Sequence, residues 1–580
     1  MSVSNAEVGA LFHDLALLTR LEDGNPQSFR ARAYDAAART IEALPAPAVE
    51  MSKNELVAQK GIGASTAEKI GEFRDTGSIA KLEELRQRYP PEFLEIVRIP
   101  GIGPKTGALL REELGVETVE DLRAAVERQA VRELPGLGAK TEEKLAVALE
   151  RLGMTGKERR TPIIDGMLLA TRLVVELESR DFVQRAIACG SLRRMRETIA
   201  DLDIVVSSQE PQRVMDDFIE LPSVKEVIAH GETKTSVLTQ QGLQVDVRVV
   251  EPEQLGAALV YFTGSRDHNI RLRQIAQQND WLLNEYGLLE AEGDRVIASE
   301  TEEDIYSALR LPWIPPPMRE DSGEIEAAIA GTLVEVPYVE DIRGDLHVHS
   351  SLSRDADDTL EEMVAAASER GLSYMAITDH GEDLAINGVS REEMIEERER
   401  IHRLQEDYPD LVLLHGCELN IGPDGSLDYD QEFLLGFDYC VASVHSQFDL
   451  DVTQQTVRIL TAMQNPAVNV IGHLQGRRIG KRPGIELDID AVFEGAELTG
   501  TAIEINSHLD RLDASPEVLR QAADRDINFV IDTDSHRIRE LAHIRWGVLI
   551  AQRGWVAKEK VANTWETERF LRWVAEKRGS

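Results

Sequence analysis

The feature that most constrains the fold is a series of seven short apolar runs spread over residues 344–580. Most of them carry a histidine or an acid at or near their C-terminal end, and most precede a helical pattern. Parallel strands closed into a barrel would collect these ends on one rim, where a site can be built, whereas core histidines would be scattered along both strand faces. The pattern therefore predicts a β/α barrel with one polar rim, built on the runs 345–349, 374–380, 412–420, 439–445, 468–473, 502–506 and 528–536.

The side chains on that rim indicate a metal centre. Ten of the thirteen histidines lie after residue 344. Taken singly, any of them is more simply a buried, hydrogen-bonded histidine, but the joint pattern favours ligands. Imidazoles and carboxylates without thiolates suit Zn²⁺, Mn²⁺ or Fe²⁺. Clustered cations can activate a bound water and neutralise a developing negative charge, so a hydrolytic site is consistent with this rim.

Length and composition set the outer limits. With 580 residues, three or more domains are expected. No apolar run reaches the length of a membrane span, and no signal peptide is evident, so a cytoplasmic protein without a membrane partner is expected. The three cysteines form no CxxC pair, which argues against disulfides and a thiolate zinc site. The net charge of −39 falls mostly after residue 160, since residues 1–160 carry roughly −3.

The near-neutral first 160 residues are predicted to be helical and contain a rough internal repeat. Gly-Ile-Gly or Gly-Leu-Gly recurs at 61, 101 and 136, each time before a helix start. Such a turn lets helix N–H groups meet a phosphate without reading any base. The alternative is a plain turn between helices, and the third copy is the one most readily explained by packing alone. The repeats resemble helix-hairpin-helix motifs, which implies DNA-backbone contacts at Gly61, Gly63, Gly101, Gly103 and Lys105.

A carboxylate trio follows in the middle of the chain. Asp201 and Asp203 alternate on one predicted strand and therefore share a face, and Asp246 lies on another strand. Three neighbouring carboxylates repel one another unless cations lie between them, and hard oxygen ligands suit two Mg²⁺ or Mn²⁺ ions. A lone Asp-x-Asp is more often a solvated strand edge. Here Gly190-Ser191 and three arginines (193, 194 and 196) precede it, which favours a nucleotidyltransferase palm.

Residues 261–288, beginning YFTGSRDHN, make this interpretation specific. With the palm and the hairpins they resemble DNA polymerase family X over residues 5–317. The resemblance implies that Asp201, Asp203 and Asp246 hold two Mg²⁺, with Asp246 accepting the primer 3′-hydroxyl proton. It further implies nucleotide contacts at Arg160, Ser191, Arg194, Arg248, Tyr261, Phe262, Gly264, Asn269 and Arg273. Met195 departs from the family, which often has glycine there.

The same resemblance raises the question of a 5′-deoxyribose-phosphate lyase. Family members use a lysine that forms a Schiff base, and the matching position is Lys69. That chemistry needs a neutral amine, favoured by burial or nearby cations. Ser65 stands where a basic residue is expected, so an ordinary solvated or phosphate-contacting lysine remains the alternative.

The C-terminal set resembles the polymerase and histidinol phosphatase (PHP) domain, a distorted (β/α)₇ barrel that holds up to three Mn²⁺, Zn²⁺ or Fe²⁺. The resemblance implies nine ligands: His347, His349, Asp355, His380, Glu418, His445, His473, Asp534 and His536. PHP domains usually have Ser-Asp-Gly where this chain reads Ser-Arg-Asp-Ala (353–356). Among the nearby acids, Asp355 is therefore preferred as the ligand over Asp357 and Asp358. Arg477 and Arg478 could bind a phosphate, and Asp379 is expected to support a ligand rather than to be one.

Together these expectations describe a DNA-repair enzyme. Its substrates would be gapped or nicked double-stranded DNA and deoxynucleoside triphosphates, and its PHP domain would act as a 3′-5′ exonuclease, with AP endonuclease and 3′-phosphatase activity as further options. A monomer acting at the nucleoid is expected. The alternatives are a PHP phosphatase tethered to DNA and a non-enzymatic scaffold at DNA ends. The expected domains are a lyase-like helical domain (1–88), a fingers-type helical domain (89–160), the palm (161–250), a thumb-type subdomain (251–315), a linker (316–343) and the PHP domain (344–580).

Overall fold

The structure, a computed structural model, describes all of the chain apart from residues 1–4, 24–27, 43, 45–47, 60, 90–92, 94–95, 97–101, 103, 139–140, 143–144, 147–159, 292–294, 385 and 580. The chain divides into two compact units, residues 1–159 and 160–580. Among the described residues, none of the helices combines the length and the apolar character that a membrane crossing requires.

The first unit is helical, as predicted. Its core is apolar and includes Phe12, Leu85 and Leu110. Polar caps fix two of the helix starts, because Ser52 and Thr118 each form a capping box with the acid three residues later. The helices are α1 (Asn5–Asp23), α2 (Phe29–Glu42), α3 (Lys53–Val57), α4 (Ala64–Thr76), α5 (Ala80–Arg88), α6 (Pro104–Leu114) and α7 (Val119–Glu127).

The palm begins the second unit with a five-stranded sheet in the order β2-β4-β7-β6-β5. β4 and β7 pair in parallel, and the other neighbours pair antiparallel. A short ribbon, β1 with β3, lies outside this sheet. The strands are β1 (Thr161–Pro162), β2 (Arg185–Ala188), β3 (Thr198–Ile199), β4 (Asp201–Ser207), β5 (Val224–His230), β6 (Lys234–Thr239) and β7 (Gln244–Val250), and the helices are α8 (Ile163–Glu178), α9 (Gly190–Arg193) and α10 (Pro211–Ile219).

A thumb-type region follows, in which helices pack on a three-stranded antiparallel sheet of order β10-β9-β8. Its core contains Leu272, Leu288 and Tyr306. The elements are α11 (Leu255–Thr263), α12 (Arg266–Gln278), β8 (Trp281–Asn284), β9 (Gly287–Glu290), β10 (Val296–Ala298) and α13 (Glu302–Ala308).

The segment 316–343, expected as a linker, is packed against its neighbours over much of its length. Met318 belongs to the same apolar cluster as Trp555, far along the chain. Arg319 is fully buried and donates to Glu302 at 2.7 Å. The segment also contains a helix, α14 (Glu324–Ala330). The prolines at 315–317 thus mark a wrapping segment, because the polar side chains beside them find buried partners.

The last part is the predicted barrel. Seven parallel strands follow one another in chain order from β11 to β17, and all of them are continuously buried apart from the two end residues of β13. Helices or helical turns connect successive strands. The strands are β11 (Gly344–Val348), β12 (Tyr374–Ile377), β13 (Val412–Asn420), β14 (Tyr439–Ser443), β15 (Val470–Gly472), β16 (Ala502–Asn506) and β17 (Phe529–Asp532). The helices are α15 (Leu360–Glu369), α16 (Arg391–Asp407), α17 (Gln431–Leu434), α18 (Val452–Met463), α19 (Ile489–Thr499), α20 (Pro516–Gln521), α21 (Ile544–Arg553) and α22 (Thr567–Gly579).

The barrel is nearly closed. The first and last strands meet just beyond their ends, where Val348 bridges to Ser535 and the His349 N–H donates to the Ser535 carbonyl at 2.9 Å. This closure brings residues 347–349 beside residues 534–536. The distorted (β/α)₇ fold expected from the sequence is confirmed, and all seven strand ends point to one rim.

Candidate active sites

The palm carboxylates converge because of strand register. Asp203 on β4 lies directly opposite Asp246 on the parallel neighbour β7, and Asp201 lies two residues before Asp203 on the same face. Lys234 on β6 reaches Asp246 Oδ2 at 3.0 Å, and Gln244 donates to Asp246 Oδ1 at 2.9 Å. The structure therefore brings together the three acids that the sequence grouped.

Mutual repulsion shapes the charge of this trio. Burial and the neighbouring Asp201 and Asp246 raise the pKa of Asp203 to about 7. Burial also opposes ionisation of Asp246, but hydrogen bonds from Gln244 and Ser236 and the Lys234 ammonium hold its pKa below the usual value. A cation between the carboxylates would relieve the repulsion that the raised pKa of Asp203 indicates. The trio therefore fits divalent cations with a preference for oxygen ligands.

The loop before β4 approaches the trio closely. Gly190 has φ +61°, and a Cβ there would lie 2.5 Å from Asp203 Oδ2, so only glycine fits. Ser191 follows in the short helix α9. Met195 ends the loop with φ +57°, a left-handed conformation that glycine favours, and its side chain is fully buried. The departure from the family at Met195 therefore keeps the backbone turn and adds an apolar anchor.

Two arginines of this loop have different roles. Arg193 donates to buried Glu302 at 2.9 and 2.8 Å and to Thr263 at 2.6 Å. Its guanidinium therefore connects the palm to the thumb-type region and is already occupied, so it is not available to bind a phosphate. Arg194 donates to the Thr263 carbonyl at 2.5 Å and to Glu320 at 3.1 Å. Glu320 also accepts from Arg553 of the PHP domain at 2.8 Å.

The expected nucleotide contacts line the region around Thr263. Tyr261 and Phe262 contact each other edge to face at 5.0 Å between ring centroids. The side-chain amide of Asn269 donates to the Tyr261 carbonyl at 2.7 Å, and its buried Oδ1 has no hydrogen-bond partner among the described residues. The Arg273 guanidinium lies 6.0 Å from the Tyr261 ring centroid.

Three further expected contacts surround this group. The Arg248 guanidinium lies 5.5 Å from the Phe262 ring centroid. Gly264 has φ +69°, and a Cβ there would lie 3.1 Å from Arg194 Nη1. Arg160 is further away on β1's edge, where it donates to Thr198 Oγ1 at 2.7 Å and to the Thr198 carbonyl at 2.6 Å.

The nine side chains predicted as PHP ligands lie together at the barrel rim. Glu418 on β13 is their centre, because its two oxygens contact five imidazoles. Its contacts with His380, His473 and His445 measure 2.9, 2.9 and 3.2 Å. Those with His347 on β11 and His349 just after it measure 3.5 and 3.7 Å. Asp534 Oδ1 lies 3.8, 3.4 and 3.8 Å from nitrogens of His347, His349 and His536.

Asp355 belongs to this cluster and Asp357 does not. Asp355 Oδ2 lies 3.5 Å from His380 Nε2 and 3.6 Å from His536 Nε2. Asp357 instead accepts from Arg537 at the surface, and Asp358 accepts from the Ile538 N–H at 2.7 Å. Arg354 has φ +63°, which turns the chain so that the next residue points inward.

Hydrogen bonds to the Nδ1 atoms orient several of the imidazoles. Glu504 on β16 accepts from His347 Nδ1 at 2.6 Å and from the backbone N–H of His473. His445 Nδ1 donates to Asn420 at 2.7 Å, and His349 Nδ1 contacts Ser353 at 3.2 Å. Each contact fixes which nitrogen faces the cavity. Sequence reasoning missed Glu504, although its place in the apolar run AIEIN, near the C-terminal end of a barrel strand, was a usable signal.

Asp379 also lies behind the cluster. It accepts from the Ser350 N–H at 2.9 Å, from the Ser350 hydroxyl at 2.6 Å and from Ser353. Burial, with the carboxylate of Glu397 nearby, raises the pKa of Asp379 to about 8. Through Ser353 it supports His349 instead of joining the ligands.

A cavity of about 310 Å³ opens onto the ligands and is partly basic. Arg511 Nε lies 3.4 Å from Asp534 Oδ2 at this cavity. Arg478, His508 and Arg537 line it too. Sequence reasoning missed Arg511, which lies in a loop without any periodic pattern. These basic side chains at the cavity can neutralise the charge of a phosphoester.

The ligand chemistry fits bound cations. Nε2 of His347 and Nε2 of His349 are buried without hydrogen-bond partners among the described residues, which is costly unless a cation binds them. Burial and the neighbouring imidazoles His536 and His380 lower the pKa of His349 to about 4, which keeps it neutral as a ligand must be. Three groups of ligand atoms each lie within 4.8 Å of one another: His349, His380 and His536; His347, His349 and Asp534; His380, Glu418 and His445.

In the first unit, the first repeat forms a hairpin between α3 and α4. Gly61 has φ +109°, and a Cβ there would lie 2.5 Å from Thr40 Oγ1; Gly63 directly precedes α4. Lys69 on α4 donates to Ser65 at 3.0 Å and lies 5.6 Å from the Tyr34 ring centroid. Lys105 is exposed at the start of α6. Gly101 and Gly103 lie outside the described residues.

Comparison with protein families matches four parts of the chain. The models described as Helix-hairpin-helix domain and SAM-like Helix-hairpin-helix tandem match residues 3–79 and 93–151. The model described as DNA polymerase beta thumb matches residues 258–320, and the PHP domain model matches residues 345–530.

Similar proteins cover either the whole chain or its last part. A Bacillus subtilis (strain 168) protein named DNA polymerase/3'-5' exonuclease PolX is 37% identical over 557 residues, which are 95% of this chain and 96% of that protein. A probable phosphatase of Syntrophotalea carbinolica is 30% identical over 166 residues, 28% of this chain and 65% of its own length. One of Clostridium acetobutylicum is 28% identical over 204 residues, 33% of this chain and 78% of its own. The near full-length match shows that the chain belongs to the PolX family, the family X DNA polymerases that carry a C-terminal PHP domain.

Proposed function

We propose that this chain is a gap-filling DNA-repair polymerase whose PHP domain removes nucleotides from 3′ ends. One observation carries the proposal: three carboxylates lie on paired palm strands, and nine side chains of metal-binding types lie together at a barrel rim of the same chain. The Bacillus subtilis relative's name joins the same two activities. DNA and nucleotides are the substrates, and divalent metal ions are required at both sites.

In the palm, Asp201, Asp203 and Asp246 would hold two Mg²⁺ or Mn²⁺ ions, which would neutralise charge on the attacking and leaving oxygens. Asp246 accepts the primer 3′-hydroxyl proton. Lys234, 3.0 Å away, keeps it anionic and therefore able to accept. Asp203, whose pKa burial and its two acidic neighbours raise to about 7, becomes fully ionised only as cations bind.

The nucleotide is bound by residues around the Gly190 loop and the Thr263 turn. Arg194 and Ser191 hold the triphosphate, helped by Arg160 and Arg248, and Gly264 lets the backbone approach. Tyr261 and Phe262 crowd the sugar against a 2′-hydroxyl. Asn269 offers its unpartnered Oδ1 or its amide to the base edge, and Arg273 meets the template strand.

In the PHP domain, the nine rim residues would hold up to three Mn²⁺, Zn²⁺ or Fe²⁺ ions, which would supply an activated water and neutralise the phosphate. Glu504 orients His347, and the Arg511 guanidinium at the cavity neutralises the scissile phosphodiester. The expected reaction is 3′-5′ exonuclease cleavage. AP endonuclease and 3′-phosphatase cleavage use the same groups.

The first unit delivers the DNA. Its hairpins, with Gly61, Gly63, Gly101, Gly103 and Lys105, bind the backbone of a gapped or nicked duplex. The protein acts as a monomer on the nucleoid in the cytoplasm. Lys69 is the lyase nucleophile if its amine is neutral. Borohydride trapping on a 5′-incised abasic site decides this, since an absent adduct leaves it as a phosphate contact.

The test is one assay that records synthesis and degradation on the same DNA. A gapped duplex with a labelled primer is incubated with Mg²⁺ or Mn²⁺ and the wild type, Asp201→Ala or His347→Ala. Asp201→Ala is expected to lose extension and keep 3′ degradation, and His347→Ala is expected to do the reverse. Unchanged extension by Asp201→Ala would exclude this palm as the polymerase site.

A small-molecule phosphatase is the second candidate, because the relatives similar to the PHP part alone are named probable phosphatases. A phosphatase tethered to DNA predicts faster cleavage of phosphomonoesters than of DNA 3′ ends by the wild type. It also predicts no primer extension.

A further inference from the structure

The loop between β15 and α19 contains a cluster of basic residues, although the chain as a whole has a net charge of −39. Four of its residues, 477, 478, 481 and 482, are Arg, Arg, Lys and Arg. The loop is a defined turn, because Arg478 and Arg482 form an isolated antiparallel bridge with N···O distances of 2.9 and 2.8 Å. Lys481 therefore projects from the tip of an ordered hairpin, and its side chain is 62% exposed.

The loop is fixed to the palm. Arg477, which the sequence offered as a phosphate contact, is mostly buried and donates to Glu197 of the palm and to the Leu512 carbonyl. A Cβ at Gly480 would lie 3.0 Å from Pro162 on β1. Arg477 therefore holds the loop in position, and Arg482 braces it from within by donating to the Gly476 carbonyl at 3.0 and 2.7 Å.

A cleft of about 450 Å³ lies between this loop and the β1–β3 ribbon, lined by Glu197, Thr198 and residues 477–484. At one end, Thr198 lies three residues before Asp201 and binds Arg160. At the other end, Arg478 lines this cleft and the cavity of the metal centre as well. The cleft thus lies between the ribbon that leads into the palm strand of Asp201 and the cavity of the metal centre. Its volume is that of a small-ligand pocket, which suits one strand rather than a duplex.

The cations of the loop are only partly neutralised. Arg478 and Lys481 both reach Asp510, at 3.7 and 3.5 Å, and His508 binds the same carboxylate at 2.6 Å. The Arg482 guanidinium lies 3.7 Å from the Phe448 ring centroid. Burial, with Arg511 and Arg478 nearby, lowers the pKa of Arg482, so these arginines repel one another. Like charges held together in this way suit a polyanionic ligand.

We propose that residues 478–482 form a binding track for single-stranded DNA, whose phosphodiesters they hold as an unpaired 3′ end passes from the palm to the metal centre. The inference rests on the proposed function. A nucleoside triphosphate would offer similar phosphate chemistry, but the position of the cleft, between the palm ribbon and the cavity of the metal centre, favours a strand.

The first test is charge reversal at the tip. Lys481 does not line the metal cavity, so Lys481→Glu leaves the metal centre intact. Arg400→Glu on α16, equally basic and about 41% exposed, is the matched control. Lys481→Glu is expected to slow degradation of a gapped duplex with a mismatched 3′ end by about tenfold, the lower end for a hydrogen bond to a charged group. Lys481→Arg should restore the wild-type rate.

Salt dependence provides a readout that needs no activity. For a fluorescent single-stranded oligonucleotide, the slope of log affinity against log salt should fall by about 0.7 for each phosphate that the variant no longer neutralises. Lys481→Glu with an unchanged slope would overturn the track. A raised KM for the nucleotide with unchanged strand affinity would assign the loop to the triphosphate and would equally overturn it.

Proximity can be measured directly, because the three native cysteines are buried. Lys481→Cys is incubated, without metal, with gapped duplexes whose phosphate near a 3′ end carries a tethered mixed disulfide, so that the cysteine thiolate displaces a thiol leaving group; the 3′ end has zero to four unpaired nucleotides. Disulfide yield is expected to rise with unpaired length at position 481 and to stay low for Arg400→Cys. Equal yields at the two positions would refute the track. If wild type neither extends nor degrades DNA but the cysteine still crosslinks, the proposed function fails while the track survives.

Discussion

The palm trio and the PHP centre differ in how completely the protein supplies a metal site. The palm offers three carboxylates from two adjacent strands, and Asp201 at its edge is exposed. The PHP centre draws its side chains from six of the seven strand ends, and Glu418 at its middle is almost fully buried. One site is open and made only of oxygen ligands, whereas the other is enclosed and rich in imidazole.

The difference indicates when each site receives its cations. Three repelling carboxylates are a weak site until a nucleotide adds phosphate oxygens, since Mg²⁺ is usually bound by few carboxylates plus substrate phosphates. Oriented imidazoles with buried, unpartnered nitrogens form a site that is complete before substrate arrives. We therefore expect exchangeable ions in the palm and resident ions in the PHP centre.

Metal removal should separate the two sites most strongly. After gel filtration into metal-free buffer without chelator, primer extension should disappear completely and return at once on adding Mg²⁺. Metal measured per chain should stay well above zero, and 3′ degradation should persist. Equal loss of both activities, with no metal retained, would show that the palm and the PHP centre do not differ in how firmly they hold cations.

Glu418→Gln should produce the next largest effect. The carboxylate joins five imidazoles, and its removal takes away several kcal/mol of cation binding and transition-state stabilisation, or about a thousandfold in rate. Degradation and metal content are measured together, with exposed Glu432→Gln on α17 as the control. Extension should be unchanged. Retained metal with retained degradation would remove Glu418 from the ligand set.

The sequence predicted the barrel and its rim well because both depend on local pattern. Apolar runs that end in histidines or acids specify strand, direction and rim together. Arg511 was missed because its role depends on which loop faces which strand, whereas Glu504 lies in one of the seven predicted runs and was overlooked there. The prolines before 316–343 indicated a linker or a wrapping segment, and local pattern could not decide between the two, because the buried Arg319–Glu302 pair joins residues that are distant in sequence. Arg193 was grouped with phosphate ligands for the same reason.

Glu504→Gln tests a support that only the structure reveals. The amide has a single acceptor oxygen and no charge, so it can no longer accept from both His347 Nδ1 and the His473 N–H. Metal affinity and degradation should fall by about 10-fold to 100-fold, as for other supports of metal ligands. Metal titration of the stripped protein gives the affinity, and Glu517→Gln on α20 is an exposed control. Unchanged affinity would show that His347 needs no support.

The smallest expected effect tests whether the two sites are independent. Arg553, the last residue of α21, is a PHP-domain side chain with only 8% exposure. Its guanidinium donates to the Arg194 carbonyl at 2.8 Å, to the Pro317 carbonyl at 3.3 Å and to Glu320 at 2.8 Å. Glu320 in turn binds the Arg194 side chain. A barrel helix therefore holds both the backbone and the charge partner of a proposed triphosphate ligand.

Arg553→Gln should raise the KM for the incoming nucleotide by about tenfold, the lower end for losing a hydrogen bond to a charged group, and leave kcat nearly unchanged. Arg194 would keep its charge but lose its fixed position, so binding suffers more than chemistry. Degradation of a single-stranded oligonucleotide should not change, and Arg553→Lys should recover part of the affinity. Arg539→Gln, an exposed neighbour in the same domain, serves as the control. A fall in both activities together with a lower melting temperature would make Arg553 merely structural. A selective rise in KM would show that the PHP domain affects nucleotide binding in the palm.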